Sequence, residues 1–124
     1  MPVPILQQGD VLIASIQSAM TDSDALQLQD ELMGQVGRFR SRGIIVDVTA
    51  LDLMDSFAAR SLRTLAHMTR LRGATTVIVG IQPEVAFAMV QLGMSFEDVQ
   101  TALDLEEGLA LLQQARKEPG DVGA

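Results

Sequence analysis

The chain of 124 residues contains no cysteine, tryptophan or tyrosine, and its only aromatic rings are four phenylalanines. Without cysteine there is no disulfide framework, no thiolate zinc site and no thiol nucleophile. Such a composition suits a reducing compartment, and a cytoplasmic location is expected. So few rings leave no base-stacking platform for single-stranded nucleic acid. Bases are scarce as well: nine Lys and Arg stand against sixteen Asp and Glu, a net charge of −7. That balance argues against a phosphate backbone as the main partner. No apolar run approaches the roughly 20 residues of a membrane span. The start, Met1-Pro2-Val3-Pro4-Ile5, lacks the basic residues and long apolar stretch of a signal peptide. Neither nucleic acid nor membrane is therefore expected as a partner.

Catalytic equipment is equally thin. One histidine, His67, cannot build a His-based metal site. No phosphate-cradling G-x-x-x-x-G-K-[ST] loop and no G-x-S-x-G elbow occur. A Ser-His-Asp triad would have to join His67 to Ser56 or Ser61, and Ser61 lies too near on the same helix. A two-component receiver domain needs an acid cluster at a strand end and a lysine near the last strand. Here Asp47 falls in a strand and the single lysine, Lys117, falls in the C-terminal tail. The chain is expected not to be an enzyme, with no cofactor and no metal.

What is present is a core: 48% of residues are hydrophobic and 20% charged. This length folds as one domain and buries roughly two thirds of its unfolded surface. The domain is expected over residues 1–118, followed by a frayed tail at 119–124. Val3 to Leu6 reads as a short strand, with a turn at Gln8-Gly9-Asp10. Val11 to Ile16, Ile44 to Val48 and Thr75 to Ile81 are near-continuous apolar or β-branched runs, the pattern of strands covered on both faces. Between them lie helical stripes: Ala25, Leu28, Leu32, Val36 and Phe39; then Ala58, Leu62, Leu65 and Thr69; then Val85, Ala88, Met89 and Leu92. Gly34 and Gly37 fall inside the first helix, where each costs about 1 kcal/mol against alanine, and close packing is the expected reason. Gly43 is expected to break that helix. Thr21-Asp22-Ser23-Asp24, Gln82-Pro83-Glu84 and Asp104-Leu105-Glu106-Glu107 carry helix-start signals. Val99 to Leu103 reads as an edge strand, and a final helix runs to about Lys117. Strand–helix alternation implies parallel pairing, while the first two strands lie too close for anything but a hairpin. The expected fold is α/β: a small mixed sheet of four to five strands packed with about four helices.

One segment stands apart, Leu51-Asp52-Leu53-Met54-Asp55-Ser56-Phe57-Ala58-Ala59. It joins a buried strand to a helix, so Ser56 falls at or beside the N-cap. Serine there is explained by capping alone. The functional alternative is a phosphoacceptor: the positive end of the helix welcomes a phosphate, which adds about −1.5 to −2 charges. Asp52 and Asp55 would oppose that charge. Met54 and Phe57 flank the serine, and an exposed apolar pair would offer a partner something to bury.

The same segment resembles the phosphorylation motif of STAS domains, the anti-sigma-factor-antagonist family, whose Asp-Ser pair precedes the second helix. Val77-Ile78-Val79-Gly80-Ile81-Gln82-Pro83-Glu84-Val85-Ala86, Leu92-Gly93-Met94 and Thr101-Ala102-Leu103-Asp104-Leu105-Glu106-Glu107-Gly108-Leu109 are similar to the stressosome branch. The resemblance covers residues 3 to 115. Within the branch it points to the short single-domain scaffold, the RsbS type. The longer RsbR type has a sensor domain for which this chain has no room, and a phosphothreonine where Glu84 to Val90 holds no hydroxyl. After the second strand the family usually carries Leu-Asp, and this chain has Met20-Thr21-Asp22. The role of that acid would fall to Asp22, beside Thr21. The resemblance implies a non-enzymatic stressosome scaffold and switch. It would sequester a serine kinase of the RsbT type, assemble with RsbR-type paralogues into a large particle, and dimerise through the domain. Phosphorylation of Ser56 would release the kinase to a downstream stress response, and a phosphatase would reset it. The alternative is a free anti-anti-sigma factor using the same serine. A small-molecule enzyme on this fold is a third, least favoured class.

Overall fold

A computed structural model describes residues 3–93 and 99–122. The apolar runs become strands and the stripes become helices, in the order β1 (Ile5–Gln8), β2 (Val11–Ser15), α1 (Asp22–Phe39), β3 (Gly43–Asp47), α2 (Ser56–Leu71), β4 (Thr75–Val79), α3 (Pro83–Gln91), β5 (Gln100–Ala102) and α4 (Leu105–Val122). The five strands lie side by side in chain order, β1 to β5. β1 runs antiparallel to β2, and the other pairings are parallel. Gly9, at φ 62°, makes the hairpin turn.

Strand pleating divides the core in two. Leu12, Ala14, Ile44, Val46 and Ile78 face α1, α2 and α3, where they meet Leu28, Leu32, Val36, Leu62, Leu65 and Met89. Val11, Ile13, Ile45, Val77 and Val79 form the opposite layer with Leu112 of α4. Gly108 brings α4 down onto that layer, since a Cβ there would lie 2.8 Å from a Val79 methyl. Burial on both faces is why β2, β3 and β4 read as unbroken apolar runs.

The structure departs from expectation in local places. β1 is Ile5–Gln8 rather than Val3 to Leu6, because its partners are fixed by the turn at Gly9. α1 stops at Phe39, with Arg40 in the left-handed conformation (φ 51°). Gly43 is not its breaker. It is the first residue of β3, and the Leu112 side chain occupies the space its Cβ would fill. β4 ends at Val79 rather than Ile81, since Gly80 turns away at φ 79°. Phe39 and Leu92 lie at the ends of their helices and are exposed rather than buried; the Arg38 guanidinium sits 5.9 Å above the Phe39 ring. Gly34 has nothing within 4 Å of its missing Cβ, so close packing does not explain it. At Gly37 the neighbour is the guanidinium of Arg72. α4 runs to Val122 rather than ending near Lys117, so 119–122 of the expected frayed tail are helical; Met94, in the Leu92-Gly93-Met94 segment, and residues 123–124 of the tail lie outside the described residues.

Candidate functional site

The loop after β3 is held from three sides. The Asp47 carboxylate, at the last residue of β3, accepts from the Thr49 backbone N–H (2.9 Å) and the Thr49 hydroxyl (2.6 Å). The Gln82 side-chain amide, at the start of α3, donates to the Thr49 carbonyl at 2.6 Å. Gly80 leaves room for Thr49, whose side chain would collide with a Cβ there. Leu51 N–H then closes a turn onto Val48 O at 2.9 Å. Asp47 is thus committed to bracing this loop.

From Leu51 the chain runs inward and outward by turns. Leu51 and Met54 are buried at 3% exposure, while Leu53 stands out at 68%. The expected exposed pair of Met54 and Phe57 is therefore corrected. Met54 packs in the main core, Phe57 is half-buried, and the exposed apolar side chain is Leu53. The alternation Leu51, Leu53, Met54 offered no periodic signal to separate them.

Asp55 is the N-cap of α2. Its backbone is extended, and its carboxylate accepts from the Ala58 N–H at 2.8 Å. Ser56 is the first helical residue, half-buried, with Asp52 and Asp55 exposed beside it. The capping explanation thus belongs to Asp55, and Ser56 is left at the positive end of α2 with a different side chain doing that work. Behind it, Ala58, Leu62, Leu65 and Thr69 are all buried, so α2 is anchored to the sheet along its length. Thr69 and Thr76 share a buried hydroxyl–hydroxyl bond of 2.8 Å.

The β2–α1 connection comes alongside. Ala19 and Met20 join Leu51, Leu53, Met54, Asp55 and Ala58 around a hollow of about 50 Å³. Thr21 caps α1 in a reciprocal box with Asp24, each bond 3.1 Å. The backbone N–H of Thr21, with its hydroxyl second, holds the Asp24 carboxyl below its ordinary value of 3.8. Asp22 is exposed in the first turn of α1. Of the Met20-Thr21-Asp22 segment, the structure brings Met20 to the hollow and leaves Thr21 and Asp22 out of its lining. Sequence reasoning missed Met20 and Leu53 as neighbours here. It also missed the Thr49–Gln82 brace, which spans 33 residues and leaves no local signal. His67 is exposed on α2. Among the described residues no group of three or more His, Asp and Glu side chains gathers as a metal site, and no helix is long and apolar enough to cross a membrane.

Three comparisons place this arrangement among known proteins. A family model for the STAS domain matches residues 3–108. The RsbT co-antagonist protein RsbRA of Bacillus subtilis (strain 168) is 24% identical over 107 residues, 86% of this chain but 38% of that protein. The chain thus spans less than two fifths of this curated relative. In structure it is similar to a serine-to-glutamate variant of RsbS from Moorella thermoacetica. That match has TM-score 0.79 and 30% identity, covering 93% of this chain and 97% of that one. It is also similar to a chain of the stressosome, described as a signal integration and transduction hub. Here the TM-score is 0.77 and identity 30%, over 92% and 99% of the two chains.

Proposed function

The chain belongs to the STAS domain family, and from that premise we propose that it is a non-enzymatic stressosome switch, phosphorylated on Ser56 by a serine kinase of the RsbT type that it otherwise sequesters. The observation that carries the reading is the division of labour at the start of α2. Asp55 supplies the cap, so the Ser56 hydroxyl is not needed to end-stop the helix. A phosphate placed there meets the helix dipole favourably. It also adds about two negative charges beside the exposed Asp52 and Asp55. A docking face that includes this loop and the exposed Leu53 would become far more negative and more strongly hydrated at once.

The likeness to RsbS and to a stressosome chain supports assembly with RsbR-type paralogues, and dimerisation through the domain is part of the same reading. Release of the kinase passes the signal on, a phosphatase resets Ser56, and the work is done in the cytoplasm. Thr21 and Asp22 act at most by shaping the β2–α1 connection, and Asp22 adds a charge at the same edge of the molecule.

The test is intact-mass measurement after incubation with an RsbT-type kinase and ATP. One added phosphate is expected on the wild type and none on Ser56→Ala; unchanged phosphorylation of that variant removes the assignment. Ser56→Asp is expected to weaken kinase binding, and equal affinity in a titration defeats the switch. The free anti-anti-sigma reading predicts a small complex with an anti-sigma kinase. Large particles on size-exclusion chromatography with an RsbR-type partner favour the scaffold instead.

A further inference from the structure

At the opposite end of β3 from Ser56, the last turns of α1 and α2 enclose an open hollow of about 410 Å³. It is lined by Val36, Gly37, Arg40, Ser41, Arg42, Arg72 and Gly73. Three arginines thus line one hollow in a chain of net charge −7. Basic residues at helix C-termini are ordinarily explained by the dipole alone. Three details exceed that explanation.

Arg40 holds the left-handed conformation at φ 51°, and it is the single non-glycine residue with positive φ among those described. Such a C-cap position normally takes glycine or asparagine. Arginine there indicates that its side chain is wanted. Gly37 lies inside α1, where glycine weakens a helix, and the Arg72 Nη2 sits 2.7 Å from the place of its missing Cβ. The glycine therefore seats the Arg72 guanidinium against the α1 backbone. Between these groups is Ser41, 4% exposed, whose hydroxyl has no hydrogen-bond partner. Buried polar groups are almost always partnered, and this hydroxyl, closed off beside the hollow, gains an acceptor if its side chain rotates toward a bound ligand.

We propose that this hollow binds an oxyanion of the phosphate class. Arg40, Arg42 and Arg72 supply the charge-assisted donors, and Ser41 adds a hydroxyl donor once its side chain rotates outward. Planar guanidinium forks suit tetrahedral oxyanions, and a volume of about 410 Å³ admits a small phosphate monoester as well as the free ion. The site is independent of Ser56. β3 runs from Gly43, beside the hollow, to Asp47, at the braced loop, and its five residues separate the two by on the order of 17 Å.

The experiment is a titration of the full chain with inorganic phosphate and, separately, glycerol phosphate at low ionic strength, followed by amide NMR. Saturable shifts are expected at Arg40, Ser41, Arg42 and Gly73. Arg72→Ala is expected to weaken binding about tenfold, the worth of one charge-assisted hydrogen bond. Gly37→Ala is expected to weaken it too, with the fold intact by circular dichroism, because the new Cβ evicts the guanidinium. Tighter binding of the ester assigns the site to phosphate monoesters, and equal binding assigns it to the free ion. Absence of saturation with both probes, or affinities unchanged in both variants, overturns the proposal.

Discussion

Where the parallel strands end, Gly80 takes φ 79° and a Cβ on it would run into the side chain and backbone nitrogen of Thr49. Where they begin, Gly37 has ordinary helical geometry and a Cβ on it would meet only the tip of the Arg72 side chain. Both glycines exist for close approach, yet the first is demanded by backbone and the second by one movable guanidinium. The charges divide in the same way. Asp22, Asp24, Asp55, Glu84, Glu106 and Glu107 sit at or beside helix starts, whereas Arg38 and Arg70 sit in the last turns of α1 and α2. Net charge alone conceals this division: the end bearing Ser56 is braced and gathers helix-start acids, while Arg40, Arg42 and Arg72 line the open hollow beside Ser41, with Asp10 of the neighbouring hairpin at the same end.

The sharpest way to break the contrast is Gly80→Ala. It combines a left-handed backbone that L residues resist with a collision against Thr49, and a loss of about 1–3 kcal/mol is expected in denaturant unfolding. Because Gln82 and Asp47 both hold Thr49, the displaced loop should also slow phosphorylation of Ser56. A neutral result would mean that the brace does not position the serine.

Next in size is the pair Asp55→Ala and Ser56→Ala. Loss of the carboxylate that accepts from Ala58 N–H should cost about 1 kcal/mol. Loss of the neighbouring hydroxyl, which is not the cap, should stay within about 0.5 kcal/mol. Equal costs in urea unfolding would return Ser56 to a structural role.

That pair also shows where the sequence stopped being informative. The strands β2, β3 and β4 were legible because burial on both faces leaves runs such as Ile44-Ile45-Val46, and α2 because Ala58, Leu62, Leu65 and Thr69 keep its period. Asp55-Ser56 was visible as a helix start, but either residue type caps. Only the backbone, extended at Asp55 and helical at Ser56, says which one does. Met54 and Leu53 are both apolar in an irregular loop, so no period could sort the buried one from the exposed one. The basic hollow was wholly hidden. Arg40 and Arg42 lie far in the chain from Arg72, and it takes the packing of α1 on α2 and the β3–β4 register, Gly43 opposite Thr75, to bring them together.

The smallest effect separates the two glycines of α1. In Gly34→Ala nothing obstructs the new methyl, and helix propensity alone should stabilise the protein by about 0.5–1 kcal/mol. Gly37→Ala gains the same propensity, but its Cβ must displace the Arg72 guanidinium. The displaced group is exposed and can swing into water, so the net change should still be stabilising, though by less. Thermal unfolding of the two variants side by side measures the difference. If Gly37→Ala matches Gly34→Ala, Arg72 merely rests over α1. If Gly37→Ala destabilises, the guanidinium is held there by more than the glycine, and the end of the molecule that holds the hollow is as firmly built as the braced one.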